Sequence, residues 1–196
     1  EYLCGESLYA RIERTGSLQT GELIRLGIEL CRIMNYLHSF KPNPILYLDL
    51  HPGNLLICRE QLKLIDFDQA ALASLSQERS VCYGTKGFAA PEQYEGGTLD
   101  ERTDIYAIGA LLYYMGTGHA PEGEIKAGQG SCRGDLYILM GRCLRTEKKE
   151  RCQSVREVLE TLEKLEARIF AERHIPLLRI AAAGSRSGIG VTHTAL

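Results

Sequence analysis

The sequence predicts a mainly α-helical domain with one small β-hairpin, and three features predict it. The first is a long amphipathic stretch from Thr20 to about Ser39. There Leu23, Ile24, Ile28, Cys31, Met34 and Leu37 recur at helical spacing and mark a core-facing stripe. Thr20 is the expected N-cap, and Pro42 and Pro44 end the pattern. The second is Ile105 to Met115, nearly all apolar but too short to span a bilayer, which reads as a helix buried at the domain centre. The third is a pair of apolar runs, Asn54 to Cys58 and Leu62 to Ile65, split by Arg59-Glu60-Gln61, which reads as a hairpin.

The other elements follow in order. Leu72 to Gly87 is Ser-rich and aperiodic, hence a loop, and Glu122 to Gly134 is a Gly-rich polar loop. Leu136, Leu139, Met140 and Cys143 suggest a helix. Ser154 then caps a clear one, with Val155, Val158, Leu159, Leu162 and Leu165 as its stripe. Pro176 is expected to end the domain, and Leu177 to Ala183 reads as a buried strand.

With 196 residues, 44% hydrophobic and 24% charged, the chain has the make-up of a globular protein with one sizeable core. A net charge of -2 with scattered signs leaves no nucleic-acid footprint, and the dense run Glu147 to Arg151 mixes signs and reads as a solvated turn in all but Arg151. The seven cysteines are odd in number and none has CxxC spacing, so free buried thiols in a reducing, cytoplasmic setting are expected over disulfides or zinc. No apolar run is long enough to cross a membrane and no signal peptide opens the chain. The start at Glu1-Tyr2-Leu3 and the end at Leu196 within a motif lead to the expectation of a fragment.

Two stretches carry chemistry: Tyr47-Leu48-Asp49-Leu50-His51-Pro52-Gly53-Asn54 and Leu64-Ile65-Asp66-Phe67-Asp68. They place an Asp, an Asn five residues on, and a second Asp after the hairpin. Phosphoryl transfer needs such groups: one carboxylate to orient the attacking hydroxyl and accept its proton, and an amide oxygen with a second carboxylate to hold Mg²⁺ against the phosphates.

In these stretches the sequence resembles protein kinases, a resemblance that covers roughly residues 1 to 170, and around Ala89-Ala90-Pro91-Glu92-Gln93-Tyr94 its wording is most like bacterial Ser/Thr kinases. Asp49 matches the catalytic-loop aspartate, Asn54 the metal-binding asparagine and Asp66 the metal aspartate that opens the activation segment. Gly84-Thr85-Lys86-Gly87-Phe88-Ala89-Ala90-Pro91-Glu92 matches that segment's close. Asp104 to Gly109 matches the start of the buried central helix, and Arg151 the arginine that pairs with Glu92 in a partly buried ion pair. Glu1 to Leu8 looks like the hinge and the helix after it. The resemblance implies a kinase-like C-terminal lobe beginning at the hinge, with the N-terminal lobe absent, since no Gly-rich loop, strand lysine or helix glutamate is present. It implies ATP and Mg²⁺ as cofactors and proteins as substrates. Asp49, His51, Asn54 and Thr85 would serve catalysis. Glu1 and Leu3 would offer backbone contacts to adenine, Ser7 would neighbour the ribose, and Asn54 and Asp66 would hold the metal. The intact parent would phosphorylate Ser/Thr hydroxyls, while the chain alone is expected to be inactive.

The sequence departs from the family pattern at three points. Tyr47-Leu48 replaces His-Arg, which removes the cation that would receive an activation-loop phosphate. His51 replaces the lysine that steadies the transferring phosphate. Asp68 replaces a glycine that permits unusual backbone angles. These departures and the missing lobe keep open a non-catalytic, pseudokinase-like interaction module. After a linker at 171–176, Gly184-Ser185-Arg186-Ser187-Gly188-Ile189-Gly190-Val191-Thr192 resembles the phosphate loop of partition-type P-loop ATPases, with Val191 where a lysine is usual. Residues 177–196 are therefore read as the start of a second domain.

Overall fold

The structure, a computed structural model, describes residues 4–76, 84–122 and 134–184. Strand β1 (Glu6–Ser7) leads into helix α1 (Leu8–Thr15), capped by the Ser7 hydroxyl, which accepts from Ala10 N at 3.1 Å. Helix α2 (Thr20–His38) buries the expected stripe, but it begins at Thr20, with Gln19 in the capping position. Strand β2 (Ile45–Leu46) and a 3₁₀ turn (Pro52–Asn54) precede the hairpin of β3 (Leu55–Cys58) and β4 (Gln61–Leu64). Then come β5 (Ala71–Leu72), α3 (Ala73–Ser76), α4 (Pro91–Glu95), α5 (Glu101–Thr117), α6 (Gly134–Cys143) and α7 (Val155–Gly184).

The hairpin registers Leu55 with Leu64 and Cys58 with Gln61, which leaves Arg59 and Glu60 as a two-residue turn. Their φ values of 49° and 68° are those of the mirror-image turns that suit the twist of a hairpin, reached here without glycine. β1 adds to the other side of β3, with Glu6 opposite Ile57, and β2 pairs antiparallel with β5.

Helix α5 is the hub. Its apolar residues from Ile105 to Met115 are buried almost all round, as the sequence predicts. α2 and α6 pack against it and α7 lies along α2. Two glycines set the close approaches. A Cβ on Gly27 would come within 2.8 Å of Leu112 Cδ2, and one on Gly109 within 2.5 Å of Cys143 Cβ. Cys4, Cys31, Cys58, Cys143 and Cys152 are all free, and Cys82 and Cys132 lie outside the described residues. No described helix is long and apolar enough to cross a membrane.

Two expectations are corrected. The span from Leu72 is not all loop: β5 pairs with β2, and the chain then turns through α3. The predicted strand from Leu177 to Ala183 is instead helical, because α7 runs through Pro176 to Gly184. Leu177-Leu178-Arg179-Ile180-Ala181-Ala182-Ala183 consists mostly of strong helix formers, whereas a two-residue ladder like β2–β5 has to be supplied by a partner. One proline removes a single helical hydrogen bond and need not end the helix. The glycine-rich segment from Ser185 onward lies outside the described residues.

Arg151 ties the far end of the fold to α4, more deeply than expected, since its side chain is wholly buried. Nη1 and Nη2 donate to the two Glu92 carboxylate oxygens at 2.7 and 2.8 Å. Its remaining donors reach the carbonyls of Arg145, Arg102 and Thr146 at 2.7, 2.9 and 2.9 Å. All five guanidinium N–H groups are thus satisfied, and the guanidinium carbon lies 5.1 Å from the centre of the Tyr106 ring. Burial pushes the Glu92 carboxyl up, but the hydrogen bonds from Arg151 and Thr103 outweigh it and hold the group below its ordinary range. Replacing Arg151 with Ala strands a buried carboxylate and is expected to cost about 3–5 kcal/mol of stability. Urea denaturation checks this, and an unfolding midpoint equal to that of the wild type would contradict it.

Candidate active site

The site is built on the segment between β2 and the 3₁₀ turn, and a buried carboxylate holds that segment in place. Asp104 lies in the first turn of α5, while Asp100 takes the capping position and accepts from Arg102 N at 2.9 Å. Asp104 is therefore free to face inward. Oδ2 accepts from Tyr47 N at 2.9 Å, and Oδ1 from Leu48 N at 2.8 Å. His38 Nε2, at the end of α2, meets Oδ2 at 2.9 Å.

Leu48 has a φ of 68°, a region that costs a branched side chain about 1–3 kcal/mol. Both of its peptide groups are held: the N–H by Asp104, and the carbonyl by Gln93 Nε2 at 2.8 Å. Gln93 is itself oriented by Ala90 N, which donates to its Oε1 at 3.0 Å. The bend at Leu48 leads directly into Asp49, whose side chain is 22% exposed.

There Thr85 Oγ1 donates to Asp49 Oδ1 at 2.9 Å. Asn54 Nδ2 donates to the Asp49 carbonyl at 3.2 Å, which leaves the amide oxygen available. His51 Nδ1 accepts from Gly53 N at 3.2 Å, and its Nε2 lies 3.7 Å from Asp49 Oδ2. Across the hairpin, Ile65 N donates to the Asn54 carbonyl at 3.0 Å, so the chain returns to bring Asp66 alongside. Tyr47 closes the arrangement. Its hydroxyl donates to the Ile65 and Asp66 carbonyls, the latter at 2.7 Å, and its ring meets Phe67 edge-on with centroids 5.3 Å apart. Burial foremost, with the nearby Asp49 and Asp66 carboxylates adding to it, pushes the Tyr47 phenol well above its ordinary range, so it stays a neutral donor.

The sequence-selected residues Asp49, His51, Asn54, Asp66 and Thr85 therefore share one edge of the domain. Ser7 sits at the start of α1, its oxygen engaged as the cap. Glu1 and Leu3 lie outside the described residues. The expectation for Asp68 is corrected. The left-handed φ in this segment, 61°, falls on Asp66, and Asp68 is not among the positive-φ residues, so the missing glycine imposes no strain there. Asp68 N instead donates to Asp66 Oδ1 at 3.3 Å. Sequence reasoning passed over Tyr47, His38 and Gln93. For Tyr47 the signal was a polar group between the apolar Leu46 and Leu48.

The chain matches the family model described as "Protein kinase domain" over residues 1–173. It is 29% identical over 201 residues to integrin-linked protein kinase 1 of Arabidopsis thaliana, covering 96% of this chain and 41% of that protein. It is 28% identical to serine/threonine-protein kinase A of Synechocystis, covering 87% of this chain and 38% of that protein. Over 126 residues it is 32% identical to serine/threonine-protein kinase PknB of Mycobacterium leprae, covering 62% of this chain and 20% of that protein. The chain thus spans less than half the length of these relatives.

Replacing Tyr47 with Phe removes the donor to two carbonyls beneath Asp66. The expected loss is about 0.5–1.5 kcal/mol, the net worth of a hydrogen bond to partly buried acceptors. Thermal unfolding checks this, and a variant as stable as the wild type would show that water takes over the hydroxyl's work.

Proposed function

The chain belongs to the protein kinase domain family, and from that premise we propose that the protein carrying it transfers the γ-phosphate of ATP to Ser or Thr hydroxyls of proteins. The observation that carries this reading is the Asp49 carboxylate. Oδ1 is fixed by the Thr85 hydroxyl at 2.9 Å, while Oδ2 lies 3.7 Å from His51 Nε2 on a side chain that is 22% exposed. A partly exposed carboxylate steadied on one oxygen suits a base that takes the proton of an incoming hydroxyl. The names of the Synechocystis and Mycobacterium relatives support Ser/Thr as the acceptor class.

The donor set fits magnesium, a hard cation that prefers oxygen ligands and takes few from protein when phosphates supply the rest. The Asn54 amide oxygen and the Asp66 carboxylate would hold it. When bound, the ion would neutralise charge on the phosphate oxygens. Asn54 also steadies the Asp49 backbone through its amide N–H, so one side chain couples the base to the metal position. The Ser7 oxygen accepts from Ala10 N, which leaves its own O–H free to donate to a ribose hydroxyl. The Gly-rich loop and strand lysine do not occur within residues 1–196, so phosphorylation is assigned to the full-length protein. A second reading, a non-catalytic interaction module, is favoured by His51 in place of the lysine.

Asp49→Asn in the full-length protein decides between the two readings. It should lower turnover about 10²–10⁴-fold, because the group acts on the acceptor hydroxyl, and leave ATP affinity within about twofold of the wild type. Wild-type turnover in the variant would remove Asp49 as the base, and no transfer by the unaltered protein would favour the interaction module.

A further inference from the structure

We propose that Gly53 locks His51 as the neutral tautomer protonated at Nε2, and that this N–H and Asp49 Oδ2 together form the seat for the oxygen of the acceptor hydroxyl. The role, though not the tautomer, rests on the kinase reading above.

The tautomer follows from one hydrogen bond. Gly53 N is a donor and can only donate, and it reaches His51 Nδ1 at 3.2 Å. Nδ1 must therefore present its lone pair, so the neutral ring carries its proton on Nε2. His51 occupies the capping position of the 3₁₀ turn Pro52–Asn54, so the bond is part of the turn. Contact reinforces it: a Cβ on Gly53 would come within 2.8 Å of His51 Cε1 and 3.1 Å of Nδ1. Any larger residue at this position would push the His51 ring away from the Gly53 N–H.

The seat follows from the gap. Nε2 and Asp49 Oδ2 are 3.7 Å apart, too far for a good direct hydrogen bond. An oxygen about 2.8 Å from each atom closes a triangle over that gap. A hydroxyl placed there accepts from Nε2–H, donates its own proton to Oδ2 and keeps one lone pair free. Thr85 already occupies Oδ1 and so leaves Oδ2 as the receiving atom. Both side chains are partly open to solvent, at 23% and 22% exposure, so a substrate group can reach them.

The step then balances. The hydroxyl oxygen forms a bond to the γ-phosphorus as the bond from that phosphorus to the bridging oxygen breaks. ADP departs with the bonding pair. The hydroxyl proton passes to Asp49 Oδ2, and His51 keeps its proton throughout. His51 thus orients the nucleophile and does not supply the positive charge that a lysine here would bring to the phosphate.

Imidazole ¹⁵N spectra of the 196-residue chain at mildly alkaline pH test the lock without any need for activity. His51→Gln identifies the signal, which should show a bare Nδ1 and a protonated Nε2. Gly53→Ala should convert it to a mixture of tautomers. A protonated Nδ1 in the unaltered chain overturns the proposal, as does a folded Gly53→Ala variant with an unchanged spectrum. The seat is tested in the full-length protein. His51→Ala should lower turnover about tenfold with KM for ATP unchanged, the worth of one hydrogen bond at the reacting oxygen. His51→Gln, whose amide can still donate, should keep most of the activity. Equal effects of the two substitutions, or none, overturn the seat. No transfer by the unaltered protein removes the kinase reading, and this role with it, while the tautomer is still decided by the spectra.

Discussion

The buried carboxylate of Asp104 is the constraint on which the site depends. It is 1% exposed, and an unpaired charge there would be far too costly to keep. Its oxygens are satisfied by Tyr47 N, Leu48 N and His38 Nε2. The central helix therefore does more than fill the core. By leaving the capping work to Asp100, it releases one carboxylate to grip the backbone just before Asp49. The left-handed turn at Leu48 can persist because this grip and that of Gln93 act on both sides of it. Asp49 owes its position to backbone bonds made by residues distant in sequence.

A second buried charge does similar work one layer away. Arg151 and Glu92 close α4 onto the turn before α7, and Thr103, one residue from Asp104, donates to Glu92 at 3.0 Å. The two buried carboxylates, Glu92 and Asp104, thus meet at the start of α5. One fixes the segment that carries Thr85 and the other the loop that carries Asp49. The Thr85–Asp49 hydrogen bond is where the two arms join.

Much of the fold was legible because its strongest signals are periodic. The stripes of α2 and α7 and the all-apolar α5 follow from burial, and burial repeats with the helix. Asp49, Asn54, Asp66, Thr85 and the Arg151–Glu92 pair were legible as motifs at fixed spacing. What escaped has a common cause. Tyr47, His38 and Gln93 act through bonds to backbone or to a distant carboxylate, and such partners leave no periodic mark. The β2–β5 ladder is only two residues long on each side, below what alternation can reveal. Beyond Pro176, one breaker was weighed more heavily than the helix formers that follow it. At Asp68 the glycine it replaces suggests a special backbone angle, whereas that angle belongs to Asp66.

The claim that Asp104 organises the segment carrying Asp49 is tested most directly by amide hydrogen exchange in Asp104→Ala. The account predicts that the amides of Tyr47 and Leu48 lose their protection, while those in the middle of α2, away from the substitution, stay protected. Unchanged protection at Tyr47 and Leu48 in a folded variant would contradict it, and would mean that the loop holds its shape without the carboxylate.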